Sequence, residues 1–477
     1  MVQFFVIMAL VMTLVSIVNR QFPIEKKVVL LHRLLHCVMN REILRIALPA
    51  IVANITIPLL GLLDTAIAGH LGNATMIGAI AVGSMLFNFV YWNFGFLRMG
   101  TSGMTAQAYG SGDQAAQARI LQQSSVLALA IALTIVVLQW PIRWLGFTVI
   151  GPSEDVCQLA YTYFNIVVWG APPTLMMMSI KGWLLGMQDS KGAMYVSIVV
   201  NVINIVASLA AVYVLHMGFV GIAIGTLLAQ WLGLGYALWL LRRKFWKIIA
   251  LIDWSKTLHL RGSGRFFKVS ADIFVRSTLL MLANLFLVAV GARSGDLILA
   301  VNALLQQLNS LFAYFMDGIA FAGEALVGKY FGANNSDRLR LCVRRLFVWA
   351  AVLTALFTAI YAWPHYIFAL LTDDEPVRLA AMDYRWWCAL LPVCGAAAFV
   401  WDGVFIGLTY TRGMLWAVAV ADVFFFVLYF LLPASMGNHR LWLSFVIYLA
   451  MRGVVQTILY QQKNRLICEV TPKSWTG

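Results

Sequence analysis

GWLLGMQDSKG (residues 182–192) and GVFIGLTYTRG (residues 403–413) are two copies of one segment. Gly182 falls on Gly403, Gly186 on Gly407 and Lys191-Gly192 on Arg412-Gly413, at an offset of 221 residues. A second block agrees: Ala106-Gln107-Ala108-Tyr109-Gly110 aligns with Gly328-Lys329-Tyr330-Phe331-Gly332 at an offset of 222, which also sets Gly69 on Gly291. A single indel between the blocks accounts for the difference. The chain is a duplication, and each copy is about half its length.

What the copies are follows from composition. Of the 477 residues, 62% are hydrophobic and 11% charged, against about 25% charged in soluble domains. Lipid is the solvent that tolerates so much apolar surface. A segment in lipid must satisfy its own backbone groups, which leaves helices or closed barrels. The apolar runs do not alternate and are long enough for a helix to cross a hydrocarbon core of ~30 Å. They predict spans at 44–69, 76–97, 121–142, 157–180, 193–215 and 219–241, then at 269–292, 298–322, 343–363, 377–401, 413–433 and 440–460. The expected fold is an all-α integral membrane protein of twelve core helices. Six spans per copy is an even number, so the copies form two parallel six-helix bundles, an arrangement found in transporters. The bundles are placed at 39–241 and 265–461, with a cytoplasmic linker at 242–264 and a cytoplasmic tail at 462–477. Residues 1–38 have no counterpart in the second copy. Their apolar run, Met1 to Asn19, reads either as an added anchor helix or as an extension upstream of Met39.

The formal charge of +14 raises nucleic acid as a partner, but the placement of the basic residues removes it. Of the 34 Lys and Arg residues, 28 fall in segments on the side where the first span begins. Four (Arg143, Arg293, Arg378 and Arg440) lie on the other side, and Arg276 and Arg385 lie within spans. Basic residues collect in cytoplasmic loops, so both ends of the core are expected in the cytoplasm. No Walker A, H-E-x-x-H or G-x-S-x-G pattern occurs. The six cysteines form no C-x-x-C pair, and neither a metal site nor a cofactor is expected. An enzyme or a sensor would need an appended domain or a catalytic motif, and neither is visible. Energy for transport is expected from an ion gradient or from the substrate's own.

Several blocks resemble those of the multidrug and toxic compound extrusion (MATE) transporters, in the branch named for DNA-damage-inducible protein F (DinF). They are Leu63-Asp64-Thr65, Gly100 to Gly110 (GTSGMTAQAYG), Gly182 to Lys191, and Tyr314 to Gly328 (YFMDGIAFAGEALVG). The resemblance runs from about Leu44 to Tyr460. It implies a monomeric antiporter of a bacterial inner membrane, with lipids around it and small organic, often cationic, compounds as substrates. A flippase for lipid-linked precursors is the alternative within the wider superfamily. It would favour a strongly basic cavity, whereas the in-span charges here are mainly acidic.

An ionisable residue within a span is costly and is a functional candidate by default. Asp64 lies in the outer part of the first span, six residues after Pro58, which frees the carbonyl of Asn54 and lets the helix bend. Asn201, Asn204 and Ser208 share one face of the fifth span, where they suit cation coordination, a proton network with Asp64, or glue between helices. Relatives commonly carry Asp where this chain has Ser208, which favours protons over sodium as the coupling ion. Asn302, Gln306, Asn309 and Asp317 share a face of the eighth span, for substrate contact or structure. Arg276 in the seventh span is the expected counter-charge of Asp317. Asp422 in the eleventh span has no role in the resemblance. Asp402 and Asp383 are expected near wetted span ends.

Overall fold

The computed structural model describes residues 37–56, 61, 67, 74–253 and 264–470, with side chains to 462. The chain is helical nearly throughout these residues, with no strand among them. α1 covers residues 37–56. The other helices of the first half are α2 (Ala74–Asn93), α3 (Phe96–Gly110), α4 (Gln114–Val137), α5 (Gln139–Ile150), α6 (Glu154–Val167), α7 (Ala171–Gly186), α8 (Ser190–Leu209) and α9 (Gly218–Ile249). The second half holds α10 (Gly264–Arg293), α11 (Asp296–Gly332), α12 (Ser336–Tyr361), α13 (Pro364–Leu371), α14 (Glu375–Met382), α15 (Arg385–Gly407), α16 (Thr411–Leu431) and α17 (His439–Val470). Among the described residues, 10 helical stretches are long and apolar enough to cross a membrane, one of them formed by α2 and α3 together. α1 and the broken pair α6–α7 complete the twelve spans of two six-helix bundles.

The breaks have local causes. α2 and α3 form one span interrupted at Phe94-Gly95, where the bonding shortens to three-residue turns. α6 passes into α7 through a 3-10 turn at Val168–Gly170, followed at once by Pro172 and Pro173, which have no N–H to donate. α8 ends in a π turn over Ala210–Val214.

The duplication shows in the backbone. The turns at 110–113 and 332–335 are built alike. Each has a left-handed residue (Gly112, φ +74°; Asn334, φ +53°), followed by a side chain that caps the next helix. Asp113 accepts from the N–H of Ala116 at 2.8 Å, and Asn335 from that of Arg338 at 3.0 Å. Gln188 and Thr409, at the offset of 221, are also both left-handed.

The two halves touch along α3 and α11, and their glycines meet reciprocally. A Cβ on Gly110 would sit 2.0 Å from the carbonyl oxygen of Lys329, and one on Gly332 would sit 2.0 Å from that of Gln107. No side chain fits at either place. Within each half the repeated segment does the same work: Gly182 packs on the carbonyl of Arg98, and Gly403 on that of Ala320.

Three expected boundaries move. The second and eighth spans, expected to end at 97 and 322, continue as helix to Gly110 and Gly332. The hydropathy falls there because the helices become interface rather than loop. The linker expected from Arg242 begins inside α9, which carries helix to Ile249 across a kink at Phe245.

Candidate functional site

Asp64 and Pro58 lie outside the described residues. The surroundings of their span are visible below them. Asn201 donates from its amide to the carbonyl of Thr56 at 3.3 Å, which ties α8 to the first span. Asn204 and Ser208 are turned elsewhere. Asn204, 2% exposed, donates to Thr226 Oγ1 of α9 at 3.1 Å. Ser208 Oγ faces Gly225, where a Cβ would stand 2.3 Å away. The expected polar face thus divides, with Asn201 on the first span and Asn204 and Ser208 on the sixth. Asn204 Oδ1 and Ser208 Oγ have no hydrogen-bond partner among the described residues.

The eighth-span face also divides. Asn302 is 2% exposed and engaged on both sides. It exchanges amide hydrogen bonds with Asn438 at 3.1 and 2.7 Å and accepts from Trp442 Nε1 at 2.8 Å. That is an anchor for α17 rather than a substrate contact. Gln306 Nε2 and Asn309 Oδ1 have no partner among the described residues, so half of each amide is left unsatisfied.

The expected pairing of Arg276 with Asp317 is not what the structure holds. Arg276 is paired with Asp402 of α15. Asp402 also accepts from Arg452 Nη2 at 2.9 Å and from Gln456 Nε2 at 2.7 Å, both on α17. Asp402, expected near a wetted end, has a side chain only 13% exposed. Arg452, read as a loop charge, is buried in its span. Asp383 is exposed, as expected. One acid between two arginines is chemically more complete than a lone pair, because both oxygens of Asp402 are satisfied. Asp317 is half-buried and lies within Coulombic reach of Arg276 and Asp402 on one side and of Arg98 and Glu324 on the other.

Arg98 and Glu324 form the site that the sequence did not suggest. Arg98 Nη1 lies 3.1 and 3.3 Å from the two carboxylate oxygens of Glu324, and Nη2 lies 3.3 Å from Oε1. Ser102 Oγ donates to the same carboxylate. The guanidinium also stacks over the Phe321 ring, 4.0 Å from its centroid. Glu324 is 1% exposed. The pair joins the halves at their pseudo-two-fold axis, for Ser102 and Glu324 are equivalent positions at the offset of 222. The repeat alignment itself carried the signal, since it sets a carboxylate opposite Ser102 in the block most specific to the resemblance.

Other cross-half bonds continue from it. Gln107 donates to the carbonyl of Gly407 at 2.8 Å, and Gln188 to that of Ala325 at 2.8 Å. Arg265 donates to Gln107 across the seam and to Thr409 within its own half, and Glu42 accepts from Tyr330 beside Lys329. At the other limit, Asn54 donates to the carbonyl of Tyr314 at 3.3 Å, and Asn93 bonds with Thr278. These cross-half hydrogen bonds lie between the level of Asn93 and the turns at 110–113 and 332–335.

Known proteins supply the frame for this geometry. The chain is 36% identical over 428 residues to DNA damage-inducible protein F of Escherichia coli, covering 89% of this chain and 93% of that one. It is 25% identical to the probable multidrug resistance protein NorM of Rhizobium meliloti, over 86% and 90% of the two chains. A solved multidrug resistance MATE family transporter of the MOP superfamily, in its outward-facing conformation, superposes with a TM-score of 0.75 at 19% identity, over 91% of this chain and 97% of that one. The MatE family model matches residues 49–210 and 273–431, one match in each half, and the chain belongs to that family, the multidrug and toxic compound extrusion transporters.

Proposed function

We propose that this protein is a proton-coupled antiporter of a bacterial inner membrane that exports organic, often cationic or amphipathic, compounds from the cytoplasm. The observation that carries the reading is the one-sided seam. Two duplicated bundles are joined from the level of Asn93 to the turns at 110–113 and 332–335. Those turns lie on the side rich in Lys and Arg, which the positive-inside rule makes cytoplasmic. A transporter closed there presents its binding surfaces to the outside, and rocking the bundles would reverse the access.

Coupling follows if one group binds proton and substrate in turn. Asp64 is our choice for that group, because it is an acid in the sequence of the first span, the span that Asn201 touches at Thr56. Protonation of Asp64 from outside would weaken its hold on a cationic substrate and change the bend at Pro58, releasing the substrate. Proton and substrate then favour different conformations of one element, which is what exchange requires. The in-span charges favour cationic cargo over the pyrophosphate of a lipid-linked precursor. Arg98 is matched to Glu324, and Arg276 and Arg452 share Asp402, so these three guanidinium groups are already engaged by carboxylates.

Proteoliposomes with imposed gradients test this. Efflux of an organic cation should follow an inward proton gradient and ignore sodium, and Asp64→Asn should abolish it while still inserting. Full proton-driven efflux by Asp64→Asn, or dependence on sodium alone, would refute the assignment.

A further inference from the structure

The second half holds a group that the coupling scheme above does not use. Asp422, on α16, is 6% exposed, and neither of its carboxylate oxygens has a hydrogen-bond partner among the described residues. The charged and titratable groups around it come from three packed elements. Arg452 of α17 acts on Asp422 directly, and Tyr448 of α17 lies within Coulombic reach of Asp422, of Arg452, of Arg276 on α10 and of Asp402 on α15. The donors are shared unequally. Asp402 takes a hydrogen bond from each arginine and a third from Gln456. Asp422 takes none, although Arg452 Nε and Tyr448 Oη are buried and unpartnered.

A carboxylate anion is held in a membrane interior by donors or a counter-charge in contact. Asp422 has neither in contact, while the guanidinium it needs is engaged by its rival. A neutral carboxylic acid fits this arrangement and a bare anion does not. We propose that Asp422 is a second proton-binding site, in which the proton and the Arg452 guanidinium compete for one carboxylate. With the proton on an Asp422 oxygen, Arg452 stays with Asp402, as in the structure. When that O–H bond breaks and the proton passes to water, the anion draws Arg452 across, and Asp402 keeps Arg276 and Gln456. Arg452 thereby ties α17 to α15 in one state and to α16 in the other. The proton site stands on this geometry alone; its use in transport rests on the antiport reading.

Infrared spectroscopy of the full chain in lipid nanodiscs, titrated from acid to alkaline medium, tests the site. The carboxylic-acid C=O region should contain a component that persists at neutral pH and shifts in deuterated water. That component should disappear in Asp422→Asn and remain in Asp64→Asn. If Asp422→Asn does not fold, Asp422→Glu should move the component to a new frequency. An unchanged component in either Asp422 variant, or its absence from the unmutated protein at neutral pH, overturns the proposal. A component that behaves as expected in a protein whose efflux ignores pH overturns the antiport reading and leaves the proton site standing.

Discussion

Replacing Glu324 with Gln should release the seam between the halves. The substitution keeps the shape but removes the charge that Arg98 meets at 3.1 Å. Breaking a buried ion pair from one side costs about 3–5 kcal/mol, because the remaining charge is left uncompensated. Arg98 keeps 19% of its side chain exposed and retains the Phe321 ring. Some solvation therefore survives, and we take about 2–3 kcal/mol for this site. All of it falls on the state in which the halves are closed, since Arg98 can be hydrated once they part. At about 1.4 kcal/mol per tenfold change, the closed state should lose about 30- to 150-fold of its advantage. Spin labels on Gln114→Cys and Ser336→Cys read this directly, in a background without the native cysteines. These positions are exposed, stand at equivalent places in the two turns and lie beside the seam. The distance distribution should gain a long component in Glu324→Gln. Arg98→Ala/Glu324→Ala should regain thermal stability over Glu324→Ala without regaining the closed distribution. An unchanged distribution in folded Glu324→Gln would show that the pair is not what holds the seam.

Four further outcomes follow from the packing. Asp402→Ala leaves Arg276 and Arg452 facing each other and should cost about 3–5 kcal/mol in thermal or denaturant unfolding. Asp317→Ala should not rescue Arg276→Ala, as it would if those two were partners; a rescue would reverse the assignment made here. Asn302→Ala strands Trp442 Nε1 and the Asn438 amide, at about 1–3 kcal/mol each. Stability should fall while efflux per folded molecule is kept, and a selective loss of efflux in a stable variant would place Asn302 in the substrate path. Gly332→Val forces a Cβ to within 2.0 Å of the Gln107 carbonyl oxygen and should shift the same spin-label pair toward longer distances. Gly235→Ala, which has open space around it, should leave them unchanged.

Fold and function were legible to different depths. Span count, duplication and membrane class followed from apolar run lengths and two short repeated segments, because lipid leaves a chain few alternatives. The ends of the second and eighth spans did not follow. Arg98 and Glu324 look like the charges that mark a membrane boundary, and only their mutual contact lets both helices continue. Pairing within the second half misled for a related reason. Arg276 and Asp317 lie on consecutive spans, so sequence proximity suggested a pair. The partner chosen in space, Asp402, lies 126 residues away, at the centre of a three-helix contact that no linear pattern encodes. Polar periodicity identified faces but not what they touch. Asn201, Asn204 and Ser208 share a stripe, yet the stripe is wide enough to straddle two neighbours.

The glycine contacts at the axis bear on how the transporter moves. Where Gly110 meets the Lys329 carbonyl and Gly332 meets that of Gln107, the touching surfaces are main chain on main chain. Such a joint has no knobs to withdraw from holes, so parting it demands no rotamer changes and closing it freezes no side-chain torsions. It also binds weakly by itself. Holding strength is thereby separated from fit: the bare surfaces set where the bundles come to rest, and a few polar ties set for how long. Evolution or an engineer could tune the dwell time of the closed state through Arg98, Gln107 or Gln188, leaving the resting geometry untouched.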